Sequence, residues 1–267
     1  MSSARSRTHP TVRGFETAAE AYERGRPGYP PEAVRHIGRV LRLGPSRTVV
    51  DLGSGTGKFT RALAPLGAAR IAVEPTAGMR RVFERAVPDV PVLNGTAEAI
   101  PLPDRFADAV VSAQAFHWFR VGPALREIHR VLRPGGGLGM VWNNRDDSVR
   151  WSRRLSEVVE AHGRSPVPWR RPRARPYGTI VDTPEFLPAR SRFTRVRRRE
   201  FRHFQDGTPE QFVDRTLSIS RIAVLPPEQQ RAVAREVRDL LATDPATRGR
   251  RRIRLPYHTE VYWAFAR

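Results

Sequence analysis

The chain has 267 residues and a formal charge of +20, with 47 lysines and arginines against 27 aspartates and glutamates. It has no cysteine and seven scattered histidines, which excludes a disulfide framework and a thiolate zinc site and leads us to expect no metal. No apolar run approaches the roughly 18 residues of a membrane span, and the start Met1-Ser-Ser-Ala-Arg-Ser-Arg is polar, so no membrane partner and a cytoplasmic location are expected.

All basic residues but Lys58 are arginine, spread over the whole length with few interleaved aromatics. That pattern reads as the surface composition of a GC-rich genome rather than a nucleic-acid footprint. The positive field still favours an anionic small substrate.

Residues 1–13 read as disordered. Phe15-Glu-Thr-Ala-Ala-Glu-Ala-Tyr22 is helical in pattern and breaks at Gly25-Arg-Pro-Gly-Tyr-Pro-Pro31. A second helix is expected over Glu32–Leu41, since proline is preorganised for a first helical turn. Strand signals near 48–52, 70–74, 90–94, 107–113 and 136–143 alternate with helix signals near 57–66, 76–86 and 122–132. The alternation implies right-handed crossovers and a parallel sheet, and Pro134-Gly135-Gly136 marks a helix stop and a turn. Beyond Asn144, helices are expected over Arg150–His162, Pro209–Leu217 and Pro226–Leu241, with a Pro/Arg-rich connection at Gly163–Gly178. Residues 193–205 read as a strand, and the alternating Tyr257–Ala266 as the last strand of an antiparallel pair that closes the sheet.

The most informative stretch is Thr48-Val-Val-Asp-Leu-Gly-Ser-Gly-Thr-Gly-Lys-Phe-Thr60. Val49 and Val50 suit a buried parallel strand. Gly53, Gly55 and Gly57 strip side chains from the turn, so that backbone can lie against a ligand at the carboxyl end of that strand. The next strand ends on Glu74, read as a solvent-edge acid that contributes little to the core and can accept hydrogen bonds from a ribose diol. The third glycine of a dinucleotide fingerprint falls on Lys58 or Thr60, and Lys58 is followed by Phe59 where a phosphate-binding loop needs Ser or Thr. Neither diphosphate cradle is complete.

The segments Asp51–Gly57, Glu74, Gly95–Pro101, Asp108–Phe119 and Val131–Gly137 resemble, in order and over nearly the whole chain, those of class I S-adenosylmethionine-dependent methyltransferases, nearest in pattern to the trans-aconitate-methyltransferase-like small-molecule branch. The resemblance implies an α/β, Rossmann-like fold: a seven-stranded, mostly parallel sheet with an antiparallel last strand, helices on both faces and an N-terminal helical lid. It implies a single domain over 1–267, with the lid at 1–45, the cofactor core at 46–145 and substrate-side elements at 146–267. S-adenosyl-L-methionine is the implied cofactor. Asp51, Gly53, Ser54, Gly55 and Gly57 would hold its backbone and Glu74 its ribose. The adenine would fall to Thr96, Ala97 and Glu98, with Met79 on its face; family members often carry an acid where this chain has Thr96. Tyr22 and Arg26 would meet the amino-acid end, with backbone near Gln114 and Ala115. His117 is the implied catalytic residue, as base or as orienting group. Trp118, Tyr29, Ser218 and Tyr257 fall on the substrate side, and Ser220 lies in a similar segment.

The implied reaction is in-line methyl transfer to an oxygen, nitrogen or carbon of a small molecule, in a monomer or homodimer. Two other readings compete. The charge suggests an RNA- or protein-modifying methyltransferase, and the shared sheet and glycine turn suggest a nicotinamide-dependent oxidoreductase, against which the missing third glycine counts.

Overall fold

The structure is a computed structural model and describes residues 14–162 and 191–267. Residues 1–13 and the Pro/Arg-rich Gly163–Gly178 stretch lie outside the described residues.

The scaffold is one seven-stranded sheet in the order β3-β2-β1-β4-β5-β7-β6. Within it β1 (Thr48–Leu52) is flanked in parallel by β2 (Ala69–Val73) and β4 (Ala107–Ala113), the middle strand. The short β3 (Val92–Leu93) pairs beyond β2, and β5 (Leu132–Arg145) beyond β4, both parallel. The chain then reverses: β7 (Ile253–Phe265) runs antiparallel between β5 and the edge strand β6 (Arg197–Gly207). Every residue of β4 is buried, as a parallel strand covered on both faces requires.

Side chains alternate between the faces. Val50, Leu52, Val110, Leu138, Met140 and Trp142 point into one cluster with Leu125, Ile128 and Val131 of α5 (Val121–Val131). Val49, Val111, Val141 and Val261 point into the other, with Ile37 and Leu41 at α2 (Pro31–Val40) and with Phe59. A third core lies past β5, where α6 (Arg150–His162), α7 (Pro209–Leu217), the short α8 (Ser220–Ala223) and α9 (Pro227–Thr243) close on Ile253, Leu255 and Tyr257. The N-terminal helix α1 (Gly14–Gly25), the expected lid, packs against both α7 and α4 (Ala77–Ala86), and so joins this third core to the β1–β3 half of the sheet.

Boundaries depart from the sequence reading where local chemistry intervenes. The helix expected over 57–66 is split into α3 (Lys58–Ala62) and a 3-10 turn over Ala64–Leu66, with Pro65 at the turn's start; proline cannot donate the hydrogen bond that would continue the α-helix. β5 begins at Leu132, ahead of the Pro134-Gly135-Gly136 turn, because Leu132 already pairs with Ala107 before the register shifts and resumes at Gly137. β7 begins at Ile253, where pairing with Gly207 of β6 starts.

Candidate functional site

The bend between β1 and α3 carries Gly53, Gly55 and Gly57 at φ of +71°, +58° and +83°. A Cβ on Gly53 would stand 2.6 Å from the Ala115 Cβ, whereas one on Gly55 would meet nothing within 4 Å. Gly55 therefore serves the left-handed backbone and leaves open space beside it. The bend is stitched to β2: the Gly53 N–H donates to the Val73 carbonyl at 2.8 Å, and the Gly55 N–H to Glu74 Oε2 at 2.9 Å. The other Glu74 oxygen accepts from the Thr76 N–H at 2.9 Å.

Glu74 is therefore not the solvent-edge acid expected from its position. It is 6% exposed, because the bend folds back over the end of β2 and takes the carboxylate as its anchor. Burial raises its pKa against the pull of those two N–H groups. The Thr76 hydroxyl also bears on the carboxylate, and part of its acceptor capacity remains. Asp51, at 2% exposure, accepts from the Thr60 hydroxyl at 2.6 Å, and its Oδ1 is buried without a hydrogen-bond partner. Burial lifts Asp51 to about 7. Ser54 Oγ is also buried without a partner, so the bend holds unfilled hydrogen-bonding capacity on both sides of Gly53.

The lid crosses this bend. Glu23 accepts from Thr56 Oγ1 and from Arg61, each at 2.5 Å, with Lys58 Nζ at 3.7 Å. The far end of α1 meets α7 backbone to backbone, since a Cβ on Gly25 would lie 2.3 Å from the Arg215 nitrogen. Arg26 donates to Ser218 Oγ at 3.0 Å and to the Ser218 carbonyl at 3.2 Å. The segment is also pinned to the sheet, by Gln205 Nε2 on the Gly25 carbonyl and Asn143 Nδ2 on the Gly28 carbonyl, both at 2.8 Å. Thr259 Oγ1 donates its one proton to Asn143 Oδ1 at 2.7 Å, so His203 Nδ1, 3.1 Å from that hydroxyl, must be the donor. The His203 ring carries its proton on Nδ1, stacks on Tyr257 at 5.3 Å, and is lowered by burial to about 4.

Under the lid lies a tight crevice with free volume of only about 10 Å³, room for roughly one water and far below the several hundred Å³ of an ordinary small-ligand pocket. The lid segment contributes Tyr22, Arg26, Pro27 and Tyr29; Lys58 and Gln114 line it from the bend side; Asn143, Arg215 and Tyr257 complete it. Burial raises both tyrosine hydroxyls, Tyr29 by more than Tyr22, and Asp51 and Glu74 lie close enough to add to the effect on Tyr22. Among the described residues no group of three or more His, Asp or Glu could hold a metal ion, and no helix is long and apolar enough to cross a membrane.

Residues 50–140 match the model of a methyltransferase domain. The chain is 41% identical over 245 residues, 92% of each sequence, to an uncharacterized methyltransferase of Mycobacterium tuberculosis. It belongs to the class I S-adenosylmethionine-dependent methyltransferases. An uncharacterized methyltransferase-like protein of Schizosaccharomyces pombe is 33% identical over 255 residues, 94% of each. A solved structure described as a type II methyltransferase from Anaeromyxobacter dehalogenans shares the fold, with a TM-score of 0.61 at 21% identity over 89% of this chain and 97% of its own. None of these relatives is assigned to a trans-aconitate branch.

Of the residues the sequence singled out in this methyltransferase, Tyr22, Arg26, Tyr29, Gln114 and Tyr257 meet at the crevice. Ser218, fully buried, holds Arg26 at its edge. Ala115 is the residue against which Gly53 must stay bare. Met79 is 3% exposed and packs with Ala19, Val82 and Tyr22 between α4 and α1. Glu98 accepts the Arg120 N–H at the start of α5 at 2.7 Å, the Thr96 carbonyl accepts the Ala99 N–H, and Ala97 is buried in the core. His117 does not join the group at the crevice. It sits in a 3-10 turn, Phe116–Trp118, with Trp118 beside it at 5.0 Å, and its Nδ1 accepts from the Trp142 indole at 3.4 Å. Trp142 and Asn143 are consecutive on β5 and so point to opposite faces; Asn143 faces the crevice.

The sequence reading passed over Glu23, Asn143, His203, Gln205 and Arg215. Two carried a signal. Asn143 interrupts the apolar Met140-Val-Trp142 run of a strand buried on both faces, and Arg215 falls on the buried stripe of α7 beside Phe212, Val213 and Thr216.

Proposed function

We propose that the protein transfers a methyl group from S-adenosylmethionine to a small-molecule acceptor, which this crevice admits when the lid lifts and widens it. The observation that carries the reading is the pair of buried carboxylates, Asp51 and Glu74, at the ends of adjacent strands around a bend whose Gly55 faces open space. Glu74 accepts the ribose hydroxyls through its remaining acceptor sites, each charged hydrogen bond contributing roughly 1.5–3 kcal/mol. The bare backbone of Gly53–Gly57, with Ser54 Oγ and Asp51 Oδ1, takes the rest of the nucleoside and the methionine chain. Tyr22, Arg26 and Gln114 meet the amino-acid end, and the Thr96–Glu98 segment borders the adenine.

The cofactor supplies, when bound, a methyl carbon on a sulfonium that is already a good leaving group. The protein's own task is to align the acceptor and exclude water. The lid does this by its two attachments, Glu23 to the bend and Arg26 with Gly25 to α7. His117, held by the Trp142 indole outside the crevice, is assigned a packing role rather than that of a base.

Incubation with methyl-labelled cofactor and a metabolite extract, followed by mass spectrometry, tests the reading. Label is expected in a small product in an amount that falls sharply for Glu74→Ala. Label confined to RNA or protein, or no transfer at all, contradicts it.

A further inference from the structure

The strongest unexplained feature of the crevice is Arg215. Its residue is 6% exposed, yet among the described residues it makes no ion pair, and its Nη1 is buried without a hydrogen-bond partner. A guanidinium is a permanent cation, and burying one without a counter-charge is strongly unfavourable. Two other deeply buried charges among the described residues are paired with opposite charge. Asp108 meets Arg47 and Arg133, each at 2.8 Å, and Glu260 meets Arg198. Arg215 has only the Tyr257 hydroxyl, to which Nε donates, and the Tyr257 ring at 5.6 Å.

The surroundings hold the guanidinium still and leave one side of it unserved. Tyr257 donates onward to Gln205 Oε1 at 3.1 Å, Gln205 is fixed by the Gly25 carbonyl, and His203 stacks on the Tyr257 ring. The crevice that Arg215 lines also receives Lys58 and Arg26, and no carboxylate lines it. Asp214, next in sequence, is engaged by Arg24 at 3.0 Å, and Glu23 by Arg61 and Thr56.

We infer that Arg215 anchors the acceptor and that the acceptor carries a carboxylate. This rests on the methyl-transfer reading for the location of the acceptor, and it deepens that reading by naming the substrate class. With Nε engaged by Tyr257, the Nη1 and Nη2 edge presents the parallel donors that match the two oxygens of a carboxylate. An amide or alcohol of the same shape would leave the cation uncompensated, so selection against neutral analogues is built in.

The test is thermal melting of the full chain with small mono-, di- and tricarboxylates, their amides, and phosphate monoesters, at matched ionic strength, with and without S-adenosylhomocysteine. In the wild type at least one carboxylate is expected to raise Tm by several degrees in a saturable way, while the matching amide does not. Arg215→Met is expected to melt at or above the wild-type temperature without ligand, to keep its response to S-adenosylhomocysteine, and to lose the carboxylate response. Arg215→Lys should keep the fold and a weakened response. The inference falls if no carboxylate shifts the wild type, if only phosphate monoesters do, if Arg215→Met keeps the response, or if both variants melt several degrees lower without ligand, which marks a structural arginine. A wild type that ignores S-adenosylhomocysteine but responds to a carboxylate through Arg215 sinks the methyl-transfer reading and leaves the anion site standing.

Discussion

The glycine bend and the crevice beside it, two walls of one site, are built on opposite charge. On the side of β1 and β2, Asp51 and Glu74 bury carboxylates against backbone N–H groups and a hydroxyl; on the side of α7 and β7, Arg215 buries a guanidinium against a tyrosine. The first wall is largely backbone, since the bare glycine bend supplies its shape and the acids supply its charge. The second is made of side chains from elements far apart in sequence. A cation-bearing donor and an anionic acceptor would be drawn to opposite walls, which brings them together in one orientation.

The sharpest way to break the contrast is to remove the acid. Glu74→Ala strands the Gly55 and Thr76 N–H groups in a buried site, at about 1–3 kcal/mol each. We expect a loss of stability of about 2–6 kcal/mol in chemical denaturation, together with a large loss of cofactor affinity. An unchanged denaturation midpoint would mean that the carboxylate does not hold the bend.

Asp51 separates the walls by pH. Its folded pKa of about 7 lies above its ordinary value of 3.8, so the folded state holds the proton more tightly. The stability tied to that proton is complete below about pH 4 and is lost as pH rises through about 7. Between pH 5 and 8 the wild type should lose about 2–3 kcal/mol from this group, and Asp51→Asn should flatten that part of the curve. Parallel pH profiles for the two proteins would remove Asp51 from the account.

Gly25→Ala tests the hinge that joins the walls. The added methyl would collide with the α7 backbone, at about 1–3 kcal/mol. Calorimetric melting and cofactor binding should both be weakened, and neither would change if α1 can shift freely. The smallest effect is expected at the rim. Arg24→Ala removes an ion pair with an Arg side chain that is 58% exposed, and should change stability by at most about 0.5 kcal/mol and decline with added salt.

The same asymmetry explains what the sequence revealed. β1, β4 and α7 coincide with their expected spans because a two-sided buried strand and a proline-started amphipathic helix are local patterns. The glycine bend and the acid after β2 are likewise read from neighbours in sequence. The burial of Glu74 was not, because it depends on the bend folding back over β2. The acceptor wall was less legible still: Asn143 reaches Gly28, and Arg215 reaches Tyr257, across long loops and a register that no local pattern encodes. In a chain where nearly every cation is arginine, one more on a helix draws no notice; only its burial without a counter-charge distinguishes it.

The central claim is that the carboxylate wall holds a sulfonium nucleoside, and titration calorimetry with S-adenosylhomocysteine and with NAD tests it most directly. The account expects the wild type to bind S-adenosylhomocysteine saturably at one site and to ignore NAD, with Glu74→Gln, which preserves shape and removes charge, binding about tenfold or more weakly. Equal affinity in the two proteins, or a wild type that takes NAD and ignores the thioether, would contradict it.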